Sequence, residues 1–240
     1  MTAHPDDIEA CAGGTISQMV SLGIQVQYVI LTNGDKGCGN PSLCNDSVTA
    51  EEIAVMRARE AVNAAAVLGV TADHVTLLDY EDAMLSSYQD PEIRQRLVAV
   101  LRQIKPVATF IWWPYPELSL APSAGWFDLG FHPDHQASAR VALEANFDSG
   151  VGRLWPELGA SWSIPRLYLF DFVHPTHYVD IASSIDLKAK SYEAHESQVP
   201  DGSWVLPFVT NIATMVANTS TILAAGQTNL KLAEGFYAYY

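Results

Sequence analysis

The sequence is poor in cysteine and in positive charge, and it has no long unbroken apolar run. Its three cysteines, Cys11, Cys38 and Cys44, show no CxxC spacing, which points to neither a thiolate zinc site nor a disulfide framework. Free thiols in a reducing, cytoplasmic setting are therefore expected, with a Cys38–Cys44 loop bridge the less favoured reading. Thirteen Lys and Arg stand against 27 Asp and Glu. The net charge of -14 repels phosphate backbones and anionic lipid alike, so neither nucleic acid nor a membrane surface is an expected partner. No stretch reaches the ~20 apolar residues of a membrane-spanning helix. The longest soft run, 212–225, is broken by Asn, Thr and Ser. No signal peptide is expected either, since the first motif begins at His4.

What is present is the composition of a folded globular protein, 49% hydrophobic and 17% charged over 240 residues, enough for one sizeable core and most simply a single domain, 1–240. Helical periodicity predicts helices from about Gly14 to Gly23, from a Thr49/Glu52 capping box to Leu68, from Asp90-Pro91 to Ile104, and over 136–146, 186–195 and 207–225. Short apolar runs predict strands at 26–31, 75–78, 107–112, 166–172 and 178–181. Strands alternating with helices predict an α/β, Rossmann-like fold: a mostly parallel sheet with helices on both faces. No G-x-G-x-x-G follows the first strand, which argues against a dinucleotide-binding enzyme.

Chemistry concentrates in two tetrapeptides, His4-Pro5-Asp6-Asp7 and His132-Pro133-Asp134-His135. Together they hold imidazoles and carboxylates, the ligands a borderline divalent metal such as zinc accepts. One such histidine alone is more often a hydrogen-bonded surface or core residue; a second copy changes the odds. Asp6 and Asp7 are adjacent, so their side chains leave the chain in different directions, and one can hold metal while the other reaches a water. His132 and His135 are three apart, which brings both to one side of a helical turn. Gly13-Gly14-Thr15-Ile16 is expected where a strand end turns tightly into a helix. The Gly-, Asn- and Ser-rich loop 34–47 follows a strand end, the place where open α/β sheets put their ligands. The 113–131 connection, with Tyr115, Trp126 and Phe127, delivers the chain into His132 and is expected at the site's rim. His174-Pro175-Thr176-His177 lacks the aspartate and is expected to be a turn.

These motifs resemble the PIG-L/LmbE-type zinc-dependent N-deacetylases of N-acetylglucosamine conjugates. The likeness is carried by His4-Pro5-Asp6-Asp7-Ile8-Glu9, Gly13-Gly14-Thr15 and His132-Pro133-Asp134-His135. It extends to Thr32-Asn33-Gly34-Asp35-Lys36-Gly37, Arg57-Ala58-Arg59-Glu60 with Leu68-Gly69-Val70, and Lys188 with His195-Glu196-Ser197-Gln198, more loosely to Glu234-Gly235-Phe236. The resemblance implies His4, Asp7 and His135 as ligands of Zn2+, or of another divalent metal such as Fe2+. It implies Asp6 as the general base that deprotonates water and later protonates the amine, and His132 as the stabiliser of the tetrahedral oxyanion. Asp134 would set that imidazole's charge or orientation, and Arg57 would contact substrate.

The implied reaction is hydrolysis of the N-acetyl group of a small N-acetylglucosamine-containing molecule, releasing acetate and a free amine. An anionic group on that molecule would meet Arg57. The alternative class is a non-catalytic metal- or sugar-binding relative, against which the presence of Asp6 and His132 argues. The family carries a buried apolar strand just before its His-Pro-Asp-Asp, whereas Met1-Thr2-Ala3 precede it here, so the first strand reads as truncated. Unpaired neighbouring strands, and His4 and Asp7 on a loose end, are the expected consequence.

Overall fold

A computed structural model describes residues 1–88, 90–114, 132–170, 175–223 and 230–239. Among them the chain forms α1 (Asp7–Ser21), β1 (Tyr28–Thr32), α2 (Ala50–Val67), β2 (Val75–Tyr80), α3 (Asp90–Ile104) and β3 (Thr109–Trp112). It continues through α4 (Pro133–Ser149), β4 (Leu167–Phe170), β5 (His177–Asp180), α5 (Ile185–Glu193), α6 (Val205–Leu223) and β6 (Ala233–Tyr239). The capping box closes as expected at α2, where the Thr49 hydroxyl accepts the Glu52 amide and the Glu52 carboxylate accepts the Thr49 amide. Pro133 opens α4 at a position whose amide has no helical partner in any case.

Side chains of β1 alternate between two cores. Val29 and Leu31 meet Leu97 and Leu101 of α3 and Val141 and Ala145 of α4, while Tyr28 and Ile30 meet Ile8 and Ile16 of α1 and Ala61 and Ala65 of α2. Helices thus cover both faces. The expected mostly parallel sheet is corrected. β1 and β2 form a parallel pair, and the second sheet, in the order β3-β4-β6-β5, is mixed, because β6 runs antiparallel to both β4 and β5. Sequence periodicity did not predict β6 at all. Burial patterns report which faces are covered, and strand direction depends on how the chain returns to the sheet.

Gly13 and Gly14 lie inside α1, which starts at Asp7, so they do not form the expected turn. A Cβ on Gly14 would fall 2.7 Å from Ile181 Cγ2, and one on Gly13 would fall 3.1 Å from Lys188 Cγ. Close packing of α1 on α5 and on the segment leading into it is what these glycines permit.

Met1–Ala3 are not loose. Thr2 bridges Ile30 in parallel, its amide donating to the Val29 carbonyl; the amides of Leu31 and Thr32 donate to Thr2 and Ala3, and the Met1 amine donates to the Phe110 carbonyl. The backbone that enters His4 is therefore pinned between β1 and β3. Past Met1 a groove of about 560 Å³ continues between residues 25–29 and 106–110, along Ile8, Ile16 and Met19 of α1.

Cys38 and Cys44 are disulfide-bonded, with Cα atoms 6.1 Å apart, and Cys11 is a buried free thiol. That overturns the expectation of three free thiols. Among the described residues no helix is long and apolar enough to cross a membrane.

Candidate active site

The two tetrapeptides meet, each at a helix start: Asp6 precedes α1 and His132 precedes α4. His4 Nδ1 lies 3.0 Å from His135 Nε2, His135 Nε2 lies 3.1 Å from Asp7 Oδ1, and His4 Nδ1 lies 3.7 Å from Asp7 Oδ2. Two ~2.1 Å metal bonds at a tetrahedral angle hold their donor atoms roughly 3.4 Å apart, so this triangle has the dimensions of three protein ligands on one divalent cation. The donor chemistry fits as well, because two imidazole nitrogens and a carboxylate are acceptors that converge with at most a shared proton between them.

Each corner of the triangle is fixed from behind. His4 Nε2 faces Asp82 Oδ1 at 3.0 Å and Asp134 Oδ2 at 3.4 Å, which places a proton on that nitrogen and leaves Nδ1 for the triangle. Asp7 Oδ2 accepts the His4 amide at 2.8 Å and the Trp112 indole N–H at 3.1 Å. The His135 ring stacks on Trp112, with centroids 4.2 Å apart and planes 12° from parallel. Two further groups of potential ligand atoms lie within 4.8 Å of one another, His4/His132/His135 and His4/Asp82/Asp134. In the latter, Asp134 already accepts the Ala83 and Leu85 amides and Asp82 accepts the Ala83 amide, so its lone pairs are largely engaged.

Burial alone would make the Asp7 carboxyl harder to ionise, but the neighbouring His135 and His4 hold it well below the usual carboxylate range. Burial likewise opposes charge on His4; hydrogen bonds to Asp134, Asp7 and Asp82 outweigh it and push that imidazole well above its ordinary value. A cluster that draws a proton onto a buried histidine is one that favours a cation.

His132 is half-buried, and its Nδ1 accepts the Asp134 backbone amide at 3.2 Å. Burial first, then His4 and His135, lower its pKa, so the ring is neutral with its proton on Nε2. Asp134, expected to set this imidazole's charge or orientation, meets His132 with its backbone amide and turns its carboxylate to His4 and the Ala83 and Leu85 amides. Asp6 has φ 144°, a conformation costing a non-glycine residue about 1–3 kcal/mol, and its carboxylate accepts from Arg57 at 2.8 Å. Arg57 is buried and also donates to the Pro5 carbonyl at 2.5 Å and to the Gly37 carbonyl at 3.4 Å. A Cβ on Gly34 would lie 2.9 Å from the Arg57 Nε, and Gly34 has φ +68°, so the loop needs glycine there to close over the guanidinium. Glu60 and Gln198 complete that support, Glu60 accepting from the Ser197 amide and hydroxyl, and Gln198 donating to Gly37.

The described residues enclose a cleft of about 230 Å³, lined by the motif side chains together with Asp82, Trp112, Tyr192 and Phe208. None of these four was singled out from sequence. Asp82 follows a strand and Trp112 ends one, positions where α/β sheets present ligands, and that was the available signal. Tyr192 and Phe208 carried none. Burial, then the negative charges of Asp6 and Asp7, push the Tyr192 phenol up, so it stays protonated. Residues 115–131 and His174 lie outside the described residues; His177 is exposed at the start of β5, with its ring 6.3 Å from that of Tyr168.

Comparison with known proteins gives a consistent picture. The sequence model of the PIG-L (GlcNAc-PI de-N-acetylase) family matches residues 1–146. The diacetylchitobiose deacetylase of Thermococcus kodakarensis is 30% identical over 220 residues, covering 88% of this chain and 73% of that protein. The 1D-myo-inositol 2-acetamido-2-deoxy-alpha-D-glucopyranoside deacetylase of Streptomyces avermitilis is 30% identical over 183 residues, covering 69% of this chain and 58% of that one. The solved structure of N,N'-diacetylchitobiose deacetylase from Pyrococcus horikoshii superposes with a TM-score of 0.80 at 28% identity, covering 98% of this chain and 80% of that one.

Proposed function

The chain belongs to the PIG-L family, and from that premise we propose that it hydrolyses the N-acetyl group of a small N-acetylglucosamine-containing molecule, releasing acetate and a free amine. The observation that carries the reading is the convergence of His4 Nδ1, Asp7 and His135 Nε2 within 3.7 Å of one another. His4, Asp7 and His135 would hold a divalent metal, zinc or another such as Fe2+, which when bound supplies the Lewis acidity that makes water a nucleophile near neutral pH. Asp6, at the entrance to α1 and oriented by Arg57, takes the proton from that water and returns it to the departing amine. His132, neutral with its proton on Nε2, donates to the oxygen on which negative charge develops. Asp134 and Asp82 hold the His4 ring in the orientation that offers Nδ1. All of this lies in one domain, 1–240.

The substrate class rests on the relatives, whose names share an acetamido sugar and differ in what is attached to it. The test pairs elemental analysis with amine release. Asp6→Asn is expected to keep the parent's metal content and lose roughly two powers of ten or more in turnover, as loss of a general base costs. His135→Ala is expected to lose the metal. Metal loss in the Asp6 variant with retention in the His135 variant would reverse the assignment of base and ligand. Preference for an N-acetyl amino acid over acetamido sugars would refute the sugar, and no amine release at all by the metal-loaded parent would leave a non-catalytic binder.

A further inference from the structure

Beside the motif residues, the cleft wall is built by Tyr192 of α5 and Phe208 of α6, beyond the stretch that the family model matches. The two rings are packed with Trp204 into one aromatic group: Tyr192 lies 6.1 Å from both Trp204 and Phe208, and Trp204 lies 5.5 Å from Phe208. Packing of this kind fixes the direction of the Tyr192 ring. Its phenol has no hydrogen-bond partner among the described residues. Of the other side-chain donors of the wall, Arg57 Nη2 donates to Asp6 and the Pro5 carbonyl and the Trp112 indole donates to Asp7. A donor on the cleft wall with no partner among the described residues is available to whatever fills the cleft, since leaving a buried donor unmet costs about 1–3 kcal/mol. The cleft, about 230 Å³ as lined by the described residues, has room for one small ring.

We propose that Tyr192 and Phe208 form the wall that selects a sugar ring, the phenol donating to a ring or hydroxyl oxygen while the Phe208 ring lies against the C–H face of the pyranose. A pyranose offers that combination, with oxygens around its edge and apolar C–H groups on its faces; an N-acetyl amino acid of similar size does not. The inference rests on the deacetylase reading of the same site and adds the determinants of its ring specificity.

The test uses metal-loaded parent, Tyr192→Phe, Phe208→Ala and Phe208→Leu, with N-acetylglucosamine, its β-1,4 disaccharide and a sugarless N-acetyl amine as substrates. Tyr192→Phe is expected to lose roughly tenfold more in kcat/KM on the sugars than on the sugarless amide, with the loss falling on KM. Phe208→Ala is expected to show the same selectivity, partly rescued in Phe208→Leu. Equal losses on all substrates would assign the wall a structural role and overturn the proposal, as would an unchanged KM for the sugars. If the parent turns over none of them, the deacetylase reading falls on its own, and calorimetric titration with glucosamine then decides the wall. Binding by the parent that weakens about tenfold in Tyr192→Phe supports it; equal binding, or none by the parent, overturns it.

Discussion

α1 carries two buried charge clusters, and they are built in opposite ways. Around Gly14, Lys188 Nζ donates to Glu234 at 2.5 Å and to the Ala10 carbonyl at 2.7 Å, and the Glu234 carboxylate accepts the amides of Gly14 and Thr15 at 3.0 and 2.7 Å. One cation faces one anion, and backbone groups take up what is left. At the helix start, three carboxylates (Asp7, Asp82 and Asp134) surround two imidazoles, and three acceptor atoms point at one spot. The first cluster is closed and the second invites a cation. Burial and charge alone therefore do not mark a site; a surplus of converging acceptors does.

Breaking the closed cluster should cost the most. Lys188→Met leaves the Glu234 carboxyl buried without its partner, and about 3–5 kcal/mol of stability is expected to go, read as a fall in the urea midpoint. The double variant Lys188→Met/Glu234→Leu should recover much of that, since it removes both charges together. If the single variant kept its stability but lost metal, the contrast between a closed and an open cluster would be wrong.

A smaller effect is expected from packing beneath the same pair. Gly14→Ala would set a Cβ 2.7 Å from Ile181 Cγ2, and overpacking of this kind typically costs about 1–3 kcal/mol. Metal content should be unaffected. A variant as stable as the parent would show that α1 and Ile181 can part without disturbing Lys188 and Glu234.

The two clusters were unequally legible in the sequence. The open one is local: its ligands sit in two short tetrapeptides, and metal chemistry restricts the residue types enough for the pattern to be recognised. The closed one joins α1 to α5 and to β6, a strand no periodicity announced, and a lone lysine or glutamate in a sequence carries no sign of its partner. Trp112 shows the limit within the site itself. As part of an apolar run it signals a buried strand, while its stacking on His135 and its bond to Asp7 depend on β3 ending beside the start of α4. Gly13 and Gly14 misled for a related reason, because glycine marks both turns and close approaches and only the neighbours distinguish them. The Cys38–Cys44 pairing likewise depends on a loop path that brings two Cα atoms to 6.1 Å.

The smallest effect is expected at Asp82, at the edge of the open cluster. Burial favours its neutral form, but the hydrogen bond from His4 and the charges of His4 and Arg57 prevail and hold its pKa at about 2. In an unfolded chain the same group titrates near ~3.9. Because the folded value is the lower one, the stability Asp82 contributes is fully present above about pH 4 and is lost as the pH falls through about 2. His4, itself pushed well above its ordinary value, stays charged across that window and keeps the interaction in place. In chelator-treated protein, urea midpoints of the parent and of Asp82→Asn should therefore differ most at pH 4 and above and draw together as the pH is lowered toward 2. A difference that stays constant over that range would mean that the His4 imidazole does not hold this carboxylate ionised, and the open cluster would then have one anion fewer with which to attract its metal.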